Sequence, residues 1–230
     1  MRPSQAASAP PGSELLAGLF EPDVLFAASA ICAELDALPL DERACAEKAV
    51  AKRQREFAQG RVLARSLLSR LGADTGPLLR DADRVPLWPT GVVGSISHTH
   101  DLCAVAVARE GEGEGGVLGV GLDVEPAEPL EPELEVRICT PAERAWLRER
   151  PASERRHAVR IFFSVKECVY KACFPRSRER WGFQELEVEL TPESEAFLAV
   201  PRTGVLAGRQ LRGRVAQRGA WWLSAFTLRA

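Results

Sequence analysis

The segment Val117–Glu125 constrains the fold most, because it alternates apolar residues with a second set that ends in two acids. Side chains of a strand point in turn to its two faces. One face is therefore apolar and suits a protein core: Leu118, Val120, Leu122 and Val124. The other face has two glycines followed by two carboxylates: Gly119, Gly121, Asp123 and Glu125. The segment predicts a strand with one buried side.

Asp123 and Glu125 allow two interpretations. Hard cations such as Mg²⁺ bind oxygen ligands, and one or two carboxylates with substrate phosphates form a common site. A strand whose solvated face happens to end in acids is the alternative. The preceding glycines favour the metal site, because glycine inside a strand often marks the close approach of a ligand or another backbone.

A helix is predicted over residues 154–173. Its apolar residues recur with helical spacing: Ile161, Phe162, Val165, Cys168, Val169 and Ala172. Ser164, Glu167 and Lys171 are predicted to lie on the opposite side. Glu167 precedes Lys171 by four residues, the order that favours an ion pair on a helix surface. The alternative is a third carboxylate and a cation that both face a cleft.

Residues 41–71 predict another long helix, with a bend or break at Gly60 and a C-cap at Gly72. Arg53 falls in the middle of its apolar stripe. Two further arginines lie along the edge of that stripe: Arg61 and Arg65. A buried charge is unfavourable unless it is paired or hydrogen-bonded. Either the helix bends and exposes Arg53, or Arg53 binds an anion such as phosphate, which suits forked guanidinium donors.

The remaining segments show no regular βαβ order. Two strands around a turn are predicted over residues 92–108, and the capping box Thr140-Pro141-Ala142-Glu143 begins a further helix. Alternating segments follow the second long helix: Leu186–Leu190, Phe197–Val200, Leu211–Ala216 and Trp221–Leu228. Helices mixed with antiparallel strands predict an α+β fold.

The Gly/Glu-rich patch Glu110–Gly116 divides the chain near its middle. Its composition cannot form a packed core, so it predicts a turn or loop between two strands. We expect a flexible arm over residues 1–15, an N-terminal α+β half over 16–112 and a C-terminal α+β half over 113–230.

Composition argues against several classes of protein. A net charge of −2 provides no general basic excess for binding nucleic acid. No run approaches the roughly 18 apolar residues of a membrane span, and the N-terminus lacks a secretory-signal pattern. The six cysteines lack C-x-x-C spacing and the three histidines complete no zinc pattern, so free thiols in a reducing cytosol are expected. We therefore expect a cytoplasmic protein without nucleic-acid or membrane partners.

Four further patterns follow one another along the chain: Lys52-Arg53…Glu56-Phe57…Gly60-Arg61, Pro86-Leu87-Trp88-Pro89…Gly94-Ser95-Ile96-Ser97-His98, Gly121-Leu122-Asp123-Val124-Glu125, and Phe163-Ser164-Val165-Lys166-Glu167…Lys171. In this order and at these separations, they resemble the 4′-phosphopantetheinyl transferases of the class typified by the surfactin and enterobactin synthase activators. The resemblance spans roughly residues 52–189.

The resemblance implies two α+β halves related by a pseudo-twofold axis, with coenzyme A in the cleft between them. It implies an enzyme that transfers 4′-phosphopantetheine from coenzyme A to a serine of an apo acyl or peptidyl carrier protein and releases 3′,5′-ADP. The reaction would depend on Mg²⁺, for which Mn²⁺ substitutes. We expect a monomer, because one chain contains both halves.

The resemblance also implies roles for particular residues. The metal-binding acids correspond to Asp123, Glu125 and Glu167, and the glycines before them would make room for pyrophosphate and metal. Glu167 corresponds to a general base, and Lys171 to a cation that stabilises phosphate. Residues matched to coenzyme A binding are Arg53, Arg61, Ser97, His98, Lys166 and Lys171. A basic residue before the Pro-x-Trp-Pro element would also contact phosphate, and Arg80 and Arg84 are both candidates.

Two other functions fit the same residues. A magnesium-dependent phosphohydrolase acting on coenzyme A or a nucleotide would also need carboxylates beside basic groups. A non-catalytic module that binds coenzyme A or a carrier protein is the other alternative. The presence of Asp123, Glu167 and Lys171 together argues against that module.

Overall fold

The computed structural model describes residues 12–191 and 195–230. The predicted flexible arm over residues 1–15 lies mostly outside them. Its described end does not fit an arm, because Ser13–Leu16 form a short 3-10 helix in which the buried Ser13 Oγ accepts a hydrogen bond from the Ala28 N–H at 3.2 Å. The helices are α1 (Leu40–Ala44), α2 (Ala51–Leu71), α3 (Glu135–Ile138), α4 (Pro141–Arg148) and α5 (Ala152–Ser177). The strands are β1 (Val24–Ala30), β2 (Val92–His98), β3 (Leu102–Arg109), β4 (Val117–Pro126), β5 (Leu186–Thr191), β6 (Ala196–Pro201), β7 (Leu211–Arg218) and β8 (Trp221–Arg229). In the described ranges, none of the helices has the length and apolar character to cross a bilayer.

The first sheet has three antiparallel strands in the order β1-β3-β2. β2 and β3 form the predicted hairpin, in which His98 lies opposite Cys103. α2 covers one face of the sheet, where Leu67 and Leu68 pack with Val105 in a buried apolar cluster. The hairpin prediction is confirmed, whereas β1 is a strand that the sequence pattern did not indicate.

The second sheet has five antiparallel strands in the order β4-β8-β7-β6-β5. The predicted strand at residues 117–125 is β4, and the four predicted C-terminal segments are β5 to β8. α5 packs across this sheet, where Phe162 and Phe226 belong to one buried cluster. Thr140 and Glu143 form the predicted capping box of α4. Helices with antiparallel sheets confirm the α+β class.

The predicted helix over residues 41–71 is two helices, because α1 ends at Ala44 and α2 begins at Ala51. Gly60 does not interrupt α2. A Cβ atom at Gly60 would lie 2.9 Å from Cγ2 of Ile96, so glycine lets the helix approach β2 closely. Gly72 ends α2 in the left-handed conformation with φ 66°, as predicted.

The two sheets meet where β2 and β4 lie side by side, each at the edge of its own sheet. Ser95 Oγ accepts a hydrogen bond from the Leu122 backbone N–H at 3.1 Å, and Ser97 Oγ accepts one from the Val124 N–H at 3.2 Å. Serine hydroxyls therefore satisfy backbone donors of an edge strand. The predicted boundary at residues 112 and 113 falls between β3 and β4. That boundary and the pseudo-twofold relation stay predictions.

Three residues of the predicted apolar face of β4 lie in one buried cluster with residues of the first sheet: Val120, Leu122 and Val124 with Ala104, Ala106 and Ala108. Leu118, the fourth, packs instead on the cluster of the second sheet and α5, because the register of β4 shifts between Val117 and Gly119. The glycine face of β4 receives α5. A Cβ atom on Gly119 would overlap the carbonyl oxygen of Ala172, and one on Gly121 would overlap that of Cys168. The expectation that these glycines make room for pyrophosphate is therefore corrected. They admit a helix backbone, the other kind of close approach that glycine permits.

Gly121→Ala should destabilise the protein by about 1–3 kcal/mol, because the added methyl group forces α5 away from β4. Chemical denaturation followed by circular dichroism measures the change. Gly113→Ala is the matched control, since its Cβ would meet no atom of the described residues within 4 Å. Similar unfolding midpoints for the two variants would contradict the close packing of α5 on β4.

Candidate functional site

A cleft of about 850 Å³ is walled by α2, β2, α5 and the loop that precedes β2. Its basic lining residues are Arg53, Arg61, Arg80, Arg84, His98, Lys171 and Arg180. Its acidic lining residues are Glu56, Asp83 and Glu167. A chain with a net charge of −2 therefore concentrates cations in one cleft, which suits an anionic ligand.

Glu56 holds Arg53 and His98 together on the cleft wall. Its Oε2 accepts a hydrogen bond from Arg53 Nη1 at 2.7 Å and lies 3.6 Å from Nδ1 of His98. The Arg53 side chain is 64% exposed and that of Glu56 only 3%, so Arg53 is open to the cleft and not buried in an apolar stripe. Burial lowers the pKa of His98, and the Glu56 charge opposes this.

Arg61 and Arg80 lie over the ring of Phe57. The Cζ atoms are 4.3 Å and 5.8 Å from the ring centroid, within the range of cation–π contacts. Nε of Arg61 donates to the carbonyl of Leu78 at 2.7 Å. Burial lowers the pKa of Arg61 to about 10, so the group stays charged at neutral pH.

Glu42 of α1 supports this wall, although sequence analysis did not select it. Its buried Oε1 accepts hydrogen bonds from Arg65 Nη1 and from the Leu78 N–H, both at 2.6 Å. Glu42 and Arg61 thus hold the N–H and the carbonyl of Leu78. The sequence does not indicate this role, because an acidic residue in the first turn of a polar helix is usually exposed to solvent.

The structure brings both Arg80 and Arg84 to the cleft. Nη2 of Arg80 donates to the carbonyl of Cys45, at the end of α1. Within residues 12–191 and 195–230, the side chain of Arg84 forms no hydrogen bond or ion pair. The alternative between these two arginines therefore stays open, and both remain predicted ligands for phosphate.

Asp123 lies where β2, β4 and α5 meet. Its Oδ1 accepts hydrogen bonds from Lys171 Nζ at 2.6 Å and from Ser97 Oγ at 3.0 Å. The Ser97 hydroxyl also accepts from Lys171 Nζ at 3.0 Å. Burial by itself lowers the pKa of Lys171. The charge of Asp123 and its hydrogen bond together raise the pKa by more, so the pKa of Lys171 is above its ordinary value. Lys171 is therefore a charged ammonium group.

Two carboxylates beside this contact have unused oxygens. Among the described residues, the buried Oδ2 of Asp123 has no hydrogen-bond partner, and the carboxylate of Glu167 forms neither a hydrogen bond nor an ion pair. Burial raises the pKa of Glu167, while Lys171 lowers it and Asp123 raises it. Because the buried Oδ2 of Asp123 requires a partner and the half-buried carboxylate of Glu167 lines the cleft, these two acids fit a hard cation such as Mg²⁺.

Glu125 is engaged elsewhere. Its Oε2 accepts a hydrogen bond from Arg160 Nη1 at 2.6 Å. Burial raises the pKa of Glu125, the Asp123 charge adds to this, and Arg160 opposes it. In the described part of the chain, no group of three or more His, Cys, Asp or Glu side chains is arranged to hold a metal ion. The three predicted ligands are thus not assembled as a set.

Comparisons with known proteins agree with this geometry. Residues 41–108 match the family described as the 4′-phosphopantetheinyl transferase N-terminal domain, and residues 119–217 match the 4′-phosphopantetheinyl transferase superfamily. The 4′-phosphopantetheinyl transferase Svp of Streptomyces mobaraensis is 39% identical over 75% of this chain and 70% of its own length. The chain belongs to the 4′-phosphopantetheinyl transferase family.

Further relatives give the same result. The 4′-phosphopantetheinyl transferase PptT of Mycobacterium tuberculosis is 37% identical, over 69% of this chain and 68% of its own length. Enterobactin synthase component D of Escherichia coli is 32% identical, over 60% of this chain and 64% of its own length.

In this transferase, Lys166 does not face the cleft. Its Nζ donates to Glu143 Oε2 at 2.7 Å and to the carbonyls of Ile138 and Phe183 at 2.8 and 2.9 Å. The side chain is 2% exposed. The expected role of Lys166 in binding coenzyme A is therefore wrong. Successive residues of a helix are about 100° apart, so Glu167 and Lys166 point in different directions.

Ser97 and Ser164 also differ from expectation. Ser97 is 5% exposed, and its hydroxyl donates to Asp123 and accepts from Lys171 and from the Val124 N–H. It therefore fixes the side chains of Asp123 and Lys171 and has no hydrogen bond left for coenzyme A. Ser164, expected on the polar side of the helix, is fully buried and shares a hydrogen bond of 2.9 Å with Ser224 Oγ.

Lys166→Met should destabilise the transferase by about 3–5 kcal/mol, because it leaves the Glu143 carboxylate buried without its cation. The double variant Lys166→Met/Glu143→Gln should recover part of this loss, since it removes both charges and keeps an acceptor for the Val188 N–H. Denaturant unfolding of the three proteins measures the difference. A single variant as stable as wild type would contradict the structural role of Lys166.

Proposed function

We propose that this transferase moves 4′-phosphopantetheine from coenzyme A to a serine of an apo acyl or peptidyl carrier protein. The observation that carries the proposal is one cleft whose basic wall lies beside Glu167 and Lys171, with Asp123 bound to Lys171 and keeping one buried oxygen without a partner among the described residues. The basic wall suits the phosphates of coenzyme A. The carboxylates suit a hard cation and the proton of an attacking hydroxyl.

Basic side chains of α2 and β2 are proposed to bind phosphates of coenzyme A. Glu56 fixes Arg53 and His98 side by side, and the exposed guanidinium of Arg53 keeps donors free for an anion. Arg61 lies nearby on the same helix, with its Nε used by Leu78 and its terminal nitrogens left for the cleft. Guanidinium forks pair with two phosphate oxygens at once, which fixes orientation as well as affinity.

Lys171 is proposed to contact the phosphate at the reacting end of coenzyme A. An ammonium group has three N–H donors. Asp123 and Ser97 accept two of them, so one donor remains for a phosphate oxygen. Because Asp123 and Ser97 belong to two different strands, the position of Nζ is fixed before the substrate binds.

Asp123 and Glu167 are proposed to hold Mg²⁺, with Mn²⁺ as a substitute, and Glu125 is proposed as a weaker ligand because Arg160 occupies one of its oxygens. A metal ion bound here would offset the charge that develops on the phosphates during transfer.

The reaction forms a bond between the serine Oγ of the carrier and the β-phosphorus of coenzyme A. It breaks the bond from that phosphorus to the oxygen that bridges the two phosphates, and 3′,5′-ADP leaves with this oxygen. The serine proton needs an acceptor within hydrogen-bond reach. We propose Glu167 as that base, because its carboxylate is unpaired and burial raises its pKa.

One described chain supplies every wall of this cleft, which supports a monomer as the active form. The cytoplasmic location expected from the sequence stays a prediction.

Incubation of this protein with coenzyme A, Mg²⁺ and an apo carrier protein should add phosphopantetheine to the carrier, as seen by mass spectrometry. Glu167→Gln should lower kcat by about 10²–10⁴, the range for loss of a general base. Its free energy of unfolding should change by no more than about 0.5 kcal/mol, because the side chain fills no core position.

Glu154→Gln, at the exposed start of the same helix, is the matched control and should transfer normally. Cleavage of coenzyme A without a gain in carrier mass would favour the phosphohydrolase. A Glu167→Gln protein with kcat within a few-fold of wild type would exclude Glu167 as the base.

Exhaustive chelation should abolish transfer, and added Mg²⁺ or Mn²⁺ should restore it, because the available ligands are carboxylate oxygens. Asp123→Asn should be more harmful than Glu125→Gln, since Asp123 has an unpaired buried oxygen and Glu125 has Arg160. Initial rates over a Mg²⁺ titration measure both effects. Equal metal requirements in these two variants would contradict the ranking, and full activity after chelation would exclude the metal.

A further inference from the structure

The loop before β2 is a closed hairpin whose tip lies on the cleft wall. Leu87 N–H donates to Leu79 C=O at 2.9 Å, and Asp81 N–H donates to Val85 C=O at 3.0 Å. Asp81 Oδ1 also accepts from the Val85 N–H at 2.9 Å. At the tip, Arg84 adopts a left-handed conformation with φ 67°. We call residues 79–87 the basic hairpin, since it carries Arg80 and Arg84.

The acids of the basic hairpin are paired with the far wall of the cleft. Arg178, just beyond the end of α5, donates from Nη1 to Asp81 Oδ2 at 2.5 Å and lies 3.7 Å from Asp83 Oδ2. Arg180 Nη2 donates to Asp83 Oδ1. These ion pairs join a loop attached to the first sheet to a helix packed on the second sheet, across the same cleft.

The acidic and basic residues of the hairpin therefore differ in their partners. Arg80 and Arg84 line the cleft without a carboxylate partner among the described residues, whereas Asp81 pairs with Arg178 and Asp83, which also lines the cleft, pairs with Arg180. Arg80 is held in addition by the Cys45 carbonyl and the Phe57 ring, so the placement of Arg84 in particular depends on where the hairpin as a whole is fixed.

We propose that Asp81 and Asp83, through Arg178 and Arg180, position the basic hairpin so that Arg80 and Arg84 meet the phosphates of coenzyme A. This inference rests on the proposed function, because it takes coenzyme A as the ligand of the cleft. The two acids are positioning residues: they act through the hairpin and touch no reacting atom.

Charge attraction and positioning predict opposite changes in the affinity for coenzyme A when the charges of these two acids are removed. Asp83 lies on the cleft wall, so loss of its negative charge alone would favour an anionic ligand. Loss of the ion pairs releases the hairpin, and ordering it again on binding opposes association. A weaker affinity after charge removal is thus a result that simple charge attraction does not produce.

The test is the double variant Asp81→Asn/Asp83→Asn, which keeps an oxygen acceptor for the Val85 N–H. The Kd for coenzyme A, measured by calorimetry without carrier protein, should rise about 3- to 10-fold, the scale of a few exposed ion pairs. Backbone amides of residues 79–87 should exchange faster with deuterium. Asp81→Glu/Asp83→Glu keeps both carboxylates and should restore affinity and protection.

Asp74→Asn is the matched control, because Asp74 is exposed and, in the part of the chain that the structure describes, its carboxylate accepts a hydrogen bond only from the Gly76 N–H. It should change neither the Kd nor the exchange of the hairpin. Unchanged or tighter binding of coenzyme A by Asp81→Asn/Asp83→Asn, with unchanged exchange, would overturn the inference while the proposed function stands. A wild-type protein that fails to bind coenzyme A would instead remove the proposed function.

Discussion

The ion pair between Asp123 and Lys171 is the contact on which the rest of the cleft depends. Asp123 belongs to β4, Lys171 to α5, and Ser97, which bonds both, to β2. One buried cluster therefore joins the edges of two sheets and the helix that forms the far wall. This cluster uses one oxygen of Asp123 and two N–H donors of Lys171. The other oxygen of Asp123 and the third donor of Lys171 remain available, and the same contacts fix their positions.

Close packing of α5 makes this contact possible. Gly119 and Gly121 let the helix backbone approach β4 to a distance that a methyl group would prevent. The apolar face of the same strand is buried against the first sheet. β4 is thus packed on both faces, and its Asp123 is buried at the contact with Lys171 of α5.

Acids organise the cations of the cleft. Glu56 holds Arg53 and His98, and Glu42 holds Arg65 beside the backbone of Leu78. Buried carboxylates of this kind reduce repulsion among neighbouring cations and fix their directions. A substrate with several phosphates then meets donors whose positions are already set, which lowers the entropy lost on binding.

The sequence by itself determined the secondary structure of most of the chain and the residue types of the site. Strict alternation predicted β4 to β8, helical spacing predicted α5, and the capping box predicted α4, because these signals are local. The order of motifs, through a family resemblance, also indicated Asp123, Glu167 and Lys171. Tertiary structure alone decided which neighbour each charge meets. Lys166 and Glu167 are adjacent in sequence, yet one is buried against Glu143 and the other lines the cleft. Only the packing of α5 on a second element fixes the rotation of the helix, and that contact joins residues far apart in the chain.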